Sequence, residues 1–183
     1  RQKEAELAYY QEQLEARVQE RTAELTEANT TQQLILDNID EIVYMVEIDQ
    51  EAVFSSHIRF VSHRVESIIG YPPAEFFRDQ GLWFNLIHPD DLATFKESSE
   101  AIWARKLPVT REYRLRHKQT GQYLWMEDRV TPRFNATGVM TGQFGVARDI
   151  TERKRAEAAL RESEERFRLF MDNSPMTAWM QDD

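Results

Sequence analysis

Four histidines and several close pairs of carboxylates are the side chains in this sequence that could bind a metal or move a proton. His57 and His63 lie six positions apart and His117 sits beside the Lys118-Gln119-Thr120-Gly121 turn, so their spacings do not converge on one ion. His88 opens the block His88-Pro89-Asp90-Asp91, which reads as the start of a helix, and a structural role is expected for it. No metal site is expected. The pairs Glu41 and Glu47, and Asp90 and Asp91, fall near turns and helix starts, where capping and solubility account for them. Phosphate-cradling strings of the G-x-x-x-x-G-K or G-x-G-x-x-G kind are missing, and no serine occupies a G-x-S-x-G turn. The absence of cysteine removes disulfides, thiolate metal sites and cysteine nucleophiles together. No catalytic residues are expected in this segment, so the chemistry it offers is that of a binding or relay module.

Elements that could carry such a module follow from where the turn-formers fall. All six glycines lie between Gly70 and Gly145 and five of the six prolines between Pro72 and Pro132, which concentrates turns in the middle of the 183 residues. Ile42 to Ile48 and the run through Ile58-Arg59-Phe60-Val61 suit two strands. Val65 to Ile69 makes a short helix stopped by Gly70, and Pro73 can begin another through Phe76-Phe77. A longer helix starts at Pro89-Asp90-Asp91, with Asp90 or Asp91 placed to cap it or to complement its positive N-terminal end and Leu92, Phe95, Ile102 and Trp103 on its apolar face, and Pro108 closes it. Three strands follow at Val109 to His117, Tyr123 to Phe134 and Val139 to Ala147, joined by two four-residue loops ending in glycine. The pattern predicts an α+β fold with an antiparallel sheet and helices on one face.

Both flanks read as helical linkers. Residues 1–33 are rich in strong helix formers, with Leu7, Leu14, Ala28 and Ile35 at one heptad position and Val18 and Leu25 at the complementary one, a narrow seam of coiled-coil type that needs a partner helix. Residues 151–170 repeat the device with Ala156, Leu160, Ser163, Phe167 and Phe170 alternating by four and three. Leu36-Asp37-Asn38-Ile39 and Met171-Asp172-Asn173-Ser174 begin similar ten-residue stretches ending in Tyr44-Met45 and Trp179-Met180, so linker plus domain reads as a repeating unit. The chain starts at Arg1 without methionine and stops inside this second stretch, and a fragment of a larger protein is expected. The formal net charge of −9 and pI near 5.1 disfavour nucleic acid and anionic lipid as partners. No run of about 18 apolar residues suits a membrane span. A cytoplasmic setting fits the lack of cysteine, and anchoring of the parent chain to a membrane stays open.

Five blocks carry a family resemblance: Ile69-Gly70-Tyr71-Pro72, His88-Pro89-Asp90-Asp91, Glu112-Tyr113-Arg114-Leu115-Arg116, Tyr123-Leu124-Trp125-Met126-Glu127-Asp128, and Gly145-Val146-Ala147-Arg148-Asp149-Ile150-Thr151-Glu152-Arg153-Lys154. Over about residues 34 to 155 they resemble a PAS domain with its C-terminal PAC segment, with the Asp-Ile-Thr run entering a charged helix as the most specific part. The resemblance implies a PAS domain at 34–150, a five-stranded antiparallel sheet in the order 2-1-5-4-3, helices enclosing a small cavity, and an exit helix as output. Residues 171–183 resemble the opening of a second PAS domain.

That resemblance also ranks cofactors and residues. Haem-binding relatives carry a histidine in the long helix, where residues 92–107 have none, and the flavin photoreceptors use a cysteine and a last-strand glutamine, which Ala147 replaces here. No cofactor is expected, and the cysteinyl-flavin adduct is excluded. On the last strand Gln143, Gly145 and Ala147 share the face that the flavin domains turn inward and are candidate cavity residues, while Phe144 and Val146 face out and need cover. Arg148, Asp149, Ile150, Thr151 and Arg153 form the expected signal-transfer joint, with Asp149 and Thr151 anchoring the exit helix through side-chain hydrogen bonds. Leu7, Leu14, Val18, Leu25, Phe144 and Val146 are candidate packing residues of a parallel homodimer. The function expected is a sensory or relay module of a bacterial sensor histidine kinase acting on an effector in the same chain. A place before a diguanylate cyclase or phosphodiesterase, or a ligand-free dimerisation element, are the alternatives.

Overall fold

The computed structural model describes residues 2–48 and 56–173, in two compact units divided after Asp40. The first unit is one helix, α1 (Gln2–Asn38), about 55 Å long at 1.5 Å per residue. It has no glycine or proline to stop it and continues past residue 33 to Asn38. Its apolar positions Leu14, Val18, Leu25 and Ile35 are exposed. The side chain of Leu7 lies outside the described residues. Thr22, Thr26 and Thr30 turn their hydroxyls back onto the carbonyls four residues earlier, at 2.7, 2.7 and 2.8 Å, which satisfies these groups within the helix.

The second unit holds β1 (Ile42–Ile48), β2 (Ser56–Val61), α2 (Arg64–Ile69), α3 (Pro73–Arg78), α4 (Leu82–Leu86), a 3-10 turn (Pro89–Asp91), α5 (Leu92–Arg105), β3 (Val109–Arg116), β4 (Tyr123–Phe134), β5 (Met140–Asp149) and α6 (Thr151–Asn173). The strands form one antiparallel sheet in the order β2-β1-β5-β4-β3. On β4 Met126, Asp128, Val130 and Pro132 alternate inward, and on β5 Gly145 and Ala147 do the same, with Met140 on that face again beyond the irregularity at Arg133/Phe134, so the sheet has one core face. Against that face, Ile42, Tyr44, Tyr113, Leu115, Met126 and Ala147 pack with Val65 and Ile69 of α2, Phe76 of α3 and Leu86 of α4. Phe76 is wholly buried, a side chain whose burial stabilises by about 1.5–3 kcal/mol.

Three local readings need correction. The helix α4 was not expected; it is five residues long with no side-chain cap, so nothing in Leu82-Trp83-Phe84-Asn85-Leu86 marks it as helical apart from its packing. Asp91 stands at the N-cap of α5 but makes no cap bond, and its carboxylate instead accepts from Arg114 N at 2.8 Å, Nε at 2.9 Å and Nη2 at 2.7 Å. The reason is that β3 is an edge strand whose outer amides lack a ladder partner, and Asp91 supplies one. The last strand runs two residues further than Ala147: Glu127 pairs with Arg148 and Met126 with Asp149. Residues Met171–Asn173 are the end of α6, and 174–183, where a second domain was expected to open, lie outside the described residues.

Candidate functional site

The core face of the sheet carries a group of polar side chains that the hydrophobic pattern leaves unexplained. Arg111 and Tyr113 stand two apart on β3, Asp128 faces them across the β3–β4 ladder in register with Arg111, and Tyr44 comes from β1. Asp128 is fully buried and accepts from the Tyr44 hydroxyl at 2.9 and 3.0 Å, from the Tyr113 hydroxyl at 3.2 Å, and from Arg111 Nε and Nη2, both at 3.0 Å. The Trp83 indole N–H donates to the Tyr113 hydroxyl at 3.1 Å. Arg111 Nη1 is held by the Ser99 and Ser98 hydroxyls at 2.9 and 3.2 Å, and its guanidinium stacks 3.6 Å from the centre of the Phe95 ring. The buried ion pair is thus hydrogen-bonded on both partners, which an ion pair in a low-dielectric core requires.

Tyr44 reaches Asp128 across an intervening strand, because β5 lies between β1 and β4. Gly145, opposite Tyr44, makes this possible: a Cβ there would lie 2.0 Å from the Tyr44 ring. Burial raises both tyrosine hydroxyls well above their ordinary range, with the Asp128 carboxylate adding to the effect. Burial also pushes the Asp128 carboxyl up, against the opposing pull of Arg111 and the two hydroxyls.

Above this floor lies a cavity of about 760 Å3. Its walls are the aromatic rings of Tyr44, Trp83, Phe84, Phe95 and Trp103 with Val46, Ile48, Ile58 and Val61, and Arg111 also lines it. Gln143 of β5 lines it. Gly145 and Ala147 do not: Gly145 is covered by the Tyr44 ring and Ala147 is buried in the core opposite Ile42. His57 also reaches the cavity, whereas His88 uses Nδ1 to accept from the Asp90 amide at 3.2 Å in its turn. Among the described residues no group of three His, Asp or Glu side chains is gathered for a metal.

On the other face the same strands hold the start of α6. Ile150 N donates to Trp125 O at 2.8 Å and Trp125 N to Thr151 Oγ1 at 2.9 Å, so the ladder of β4 continues onto the helix start. Asp149 Oδ1 accepts from Thr151 N at 2.8 Å. Arg153 bonds Glu112 at 2.6 Å and Glu127 at 3.3 Å, Lys154 pairs with Glu112, and Arg148 pairs with Glu41. The joint is therefore strand up to Asp149, with Ile150 alone between strand and helix. Phe144 is exposed and Val146 half-buried, opposite Met45 and Val43 of β1. Tyr44, Arg111, Tyr113 and Asp128 were not singled out from the sequence as site residues. Their signal was the placement of Arg111 two before Tyr113, and of Asp128 between Met126 and Val130, on faces otherwise apolar.

This sheet order, with helices over a cavity floored by polar groups, defines the PAS class of sensory domain. Residues 58–147 match the family model described as PAS fold. The chain contains a PAS domain, the sensory fold of signal-transduction proteins. The two-component sensor PprA of Pseudomonas aeruginosa is 27% identical over 164 residues, covering 88% of this chain and 16% of that protein. Protein y4lL of Sinorhizobium fredii, described as uncharacterised, is 33% identical over 115 residues, covering 61% of this chain and 13% of its own length. A solved sensory box histidine kinase/response regulator from Burkholderia thailandensis is 26% identical, with a TM-score of 0.56, covering 74% of this chain and 96% of that structure. The chain spans only 10 to 16% of the length of the curated relatives it matches. Among the described residues no helix is long and apolar enough to cross a membrane.

Proposed function

We propose that this chain is the input and relay module of a cytoplasmic sensor histidine kinase, in which a small molecule entering the cavity changes how the exit helix α6 is held. One observation carries the reading: inward and outward residues alternate on the same strands. Arg111, which lines the cavity, precedes Glu112, and Asp128, which holds Arg111 from below, follows Glu127, so the network under the cavity and the side chains clamping Arg153 and Lys154 are immediate chain neighbours. A shift of β3 or β4 driven from the cavity side is felt at the clamp without any intermediate element. The kinase assignment draws on the printed descriptions of the Pseudomonas and Burkholderia relatives. The module works as a parallel homodimer whose exposed Leu14, Val18 and Leu25 on α1, and Leu160 and Phe167 on α6, are covered by the second copy.

The test is made in the full-length parent. Asp149→Ala and Thr151→Ala each remove a side-chain bond at the joint, a contribution on the order of 1 kcal/mol, similar to coupling energies of about 1–3 kcal/mol between linked sites. Autophosphorylation is expected to shift in its basal level and to respond less to stimulus while the domain stays folded. Unchanged basal and stimulated output with only a lower melting temperature would reduce the pair to helix capping. Light scattering at micromolar concentration is expected to give the dimer mass, and a monomer mass would remove the dimeric part of the proposal.

A further inference from the structure

The helix α5 supplies Phe95, Ser99 and Trp103 to the cavity wall, and Asp91 stands at its N-cap. The Asp91 carboxylate accepts from Arg114 of the edge strand β3 at the amide, Nε and Nη2, so the head of the helix and this arginine move together. Arg114 alternates with Tyr113 and Leu115 of the core, which puts its side chain on the outer face of the sheet. There its guanidinium stands 5.2 Å from the centre of the Trp125 ring, whose residue is its register partner on β4. The Lys154 ammonium of α6 stands 5.3 Å from the centre of the same ring. Both cations lie within the roughly 6 Å over which an indole face attracts a positive charge. The Trp125 backbone is bound to the same helix root, through Ile150 N and Thr151 Oγ1. One half-buried residue thus meets the head of α5 by way of Arg114 and the root of α6 by way of Lys154.

From this arrangement we infer that Trp125 is a positioning residue that links the two helices: a displacement of α5 passes through Asp91 and Arg114 to the Trp125 ring, and from the ring to Lys154 of α6. The inference rests on the reading of α6 as the output and adds a route to it along the outer face, apart from the network of Tyr44, Arg111 and Asp128 under the cavity. Attraction of a cation to an aromatic face depends on where the charge stands over the ring. A shift of the indole driven by Arg114 therefore changes the hold on Lys154. The same ammonium pairs with Glu112 at 2.5 Å and Glu157 at 3.9 Å, contacts that keep it near the sheet but include no atom of α5. Those pairs set how firmly the helix root is held, and the Trp125 ring makes that hold depend on α5.

The experiment follows amide hydrogen exchange of residues 152–160 by mass spectrometry in the 183-residue chain. Asp91→Asn loosens the grip on Arg114 at the head of α5 and is expected to raise exchange in α6 about two- to fivefold, the factor that a cation–π contact at a partly exposed ring supplies. Trp125→Leu should raise it at least as much, and adding Asp91→Asn to Trp125→Leu should then change nothing further. Trp125→Phe keeps an aromatic face and should preserve the response to Asp91→Asn. Lys154→Met cuts the link from the helix side if Trp125→Leu costs the fold, and in that background too the response to Asp91→Asn should vanish. Unchanged exchange in α6 on Asp91→Asn, or an equal response with and without the Trp125 ring or the Lys154 charge, would overturn the assignment. Either failure leaves the reading of α6 as the output standing, since that is decided by autophosphorylation of the Asp149→Ala and Thr151→Ala variants of the parent.

Discussion

Replacing Asp128 by asparagine keeps the shape of the side chain and removes its charge, which isolates what the buried ion pair contributes. In the wild type, Asp128 accepts from three side chains, and Arg111 has no other acid within salt-bridge distance among the described residues. Asparagine can still accept from one or both tyrosines, but its NH2 group must face a donor, and the guanidinium stays in place with 8% of its side chain exposed. Breaking one partner out of a buried pair costs about 3–5 kcal/mol. Phe95 stacking and the two serines still hold the guanidinium, so the lower half of that range is expected. Against a total stability of about 5–15 kcal/mol this is large, and for a domain near 100 residues it corresponds to a melting temperature lower by roughly 12–32 °C. Urea unfolding followed by circular dichroism measures it, with Arg111→Gln and the double substitution completing the cycle. The coupling energy in that cycle should exceed about 1 kcal/mol. A cost under about 1 kcal/mol for Asp128→Asn, with no coupling to Arg111, would show that the carboxyl is already protonated in the folded protein and that the network is held by neutral hydrogen bonds.

Gly145→Ala should destabilise the domain by about 1–3 kcal/mol, because the new methyl group meets the Tyr44 ring at 2.0 Å and must displace it. Adding Tyr44→Phe should not restore stability, since ring carbons rather than the hydroxyl alone are struck; full rescue in urea unfolding would refute the steric account. The Arg114 hydrogen bonds hold Asp91 below the usual carboxylate range, so its contribution is present above the unfolded value of about 4 and is lost as pH falls through the lower folded value. Asp91→Asn should therefore cost about 1–2 kcal/mol at pH 7 and progressively less below pH 4 in melting curves taken across that range, and a cost independent of pH would contradict it.

What could be read in advance was whatever the chain writes locally. Glycine and proline placement marks the turns, period-two patterning marks β3 to β5, and the Asp149-Ile150-Thr151 run marks the passage from sheet to helix, with the side-chain bonds of Asp149 and Thr151 both present. The end of β5 was read short because Arg148 and Asp149 are polar and exposed, and only their pairing with Glu127 and Met126 makes them strand. Asp91 looked like a cap because a cap needs only sequence neighbours, whereas its partner Arg114 is 23 positions away. The cavity floor was hidden for the same reason on a larger scale. Tyr44 and Asp128 are 84 positions apart and two strands apart, roughly 10 Å at the usual spacing, so their bond exists only if a residue without a side chain stands between them. Gly145 was noticed as a small residue beside a cavity; its role is to let one tyrosine cross β5. Because of that crossing, a ligand that displaces the Tyr44 ring removes a donor from Asp128 on β4, and three residues before Asp128 on that strand stands Trp125, whose amide and carbonyl hold Thr151 and Ile150 at the root of α6.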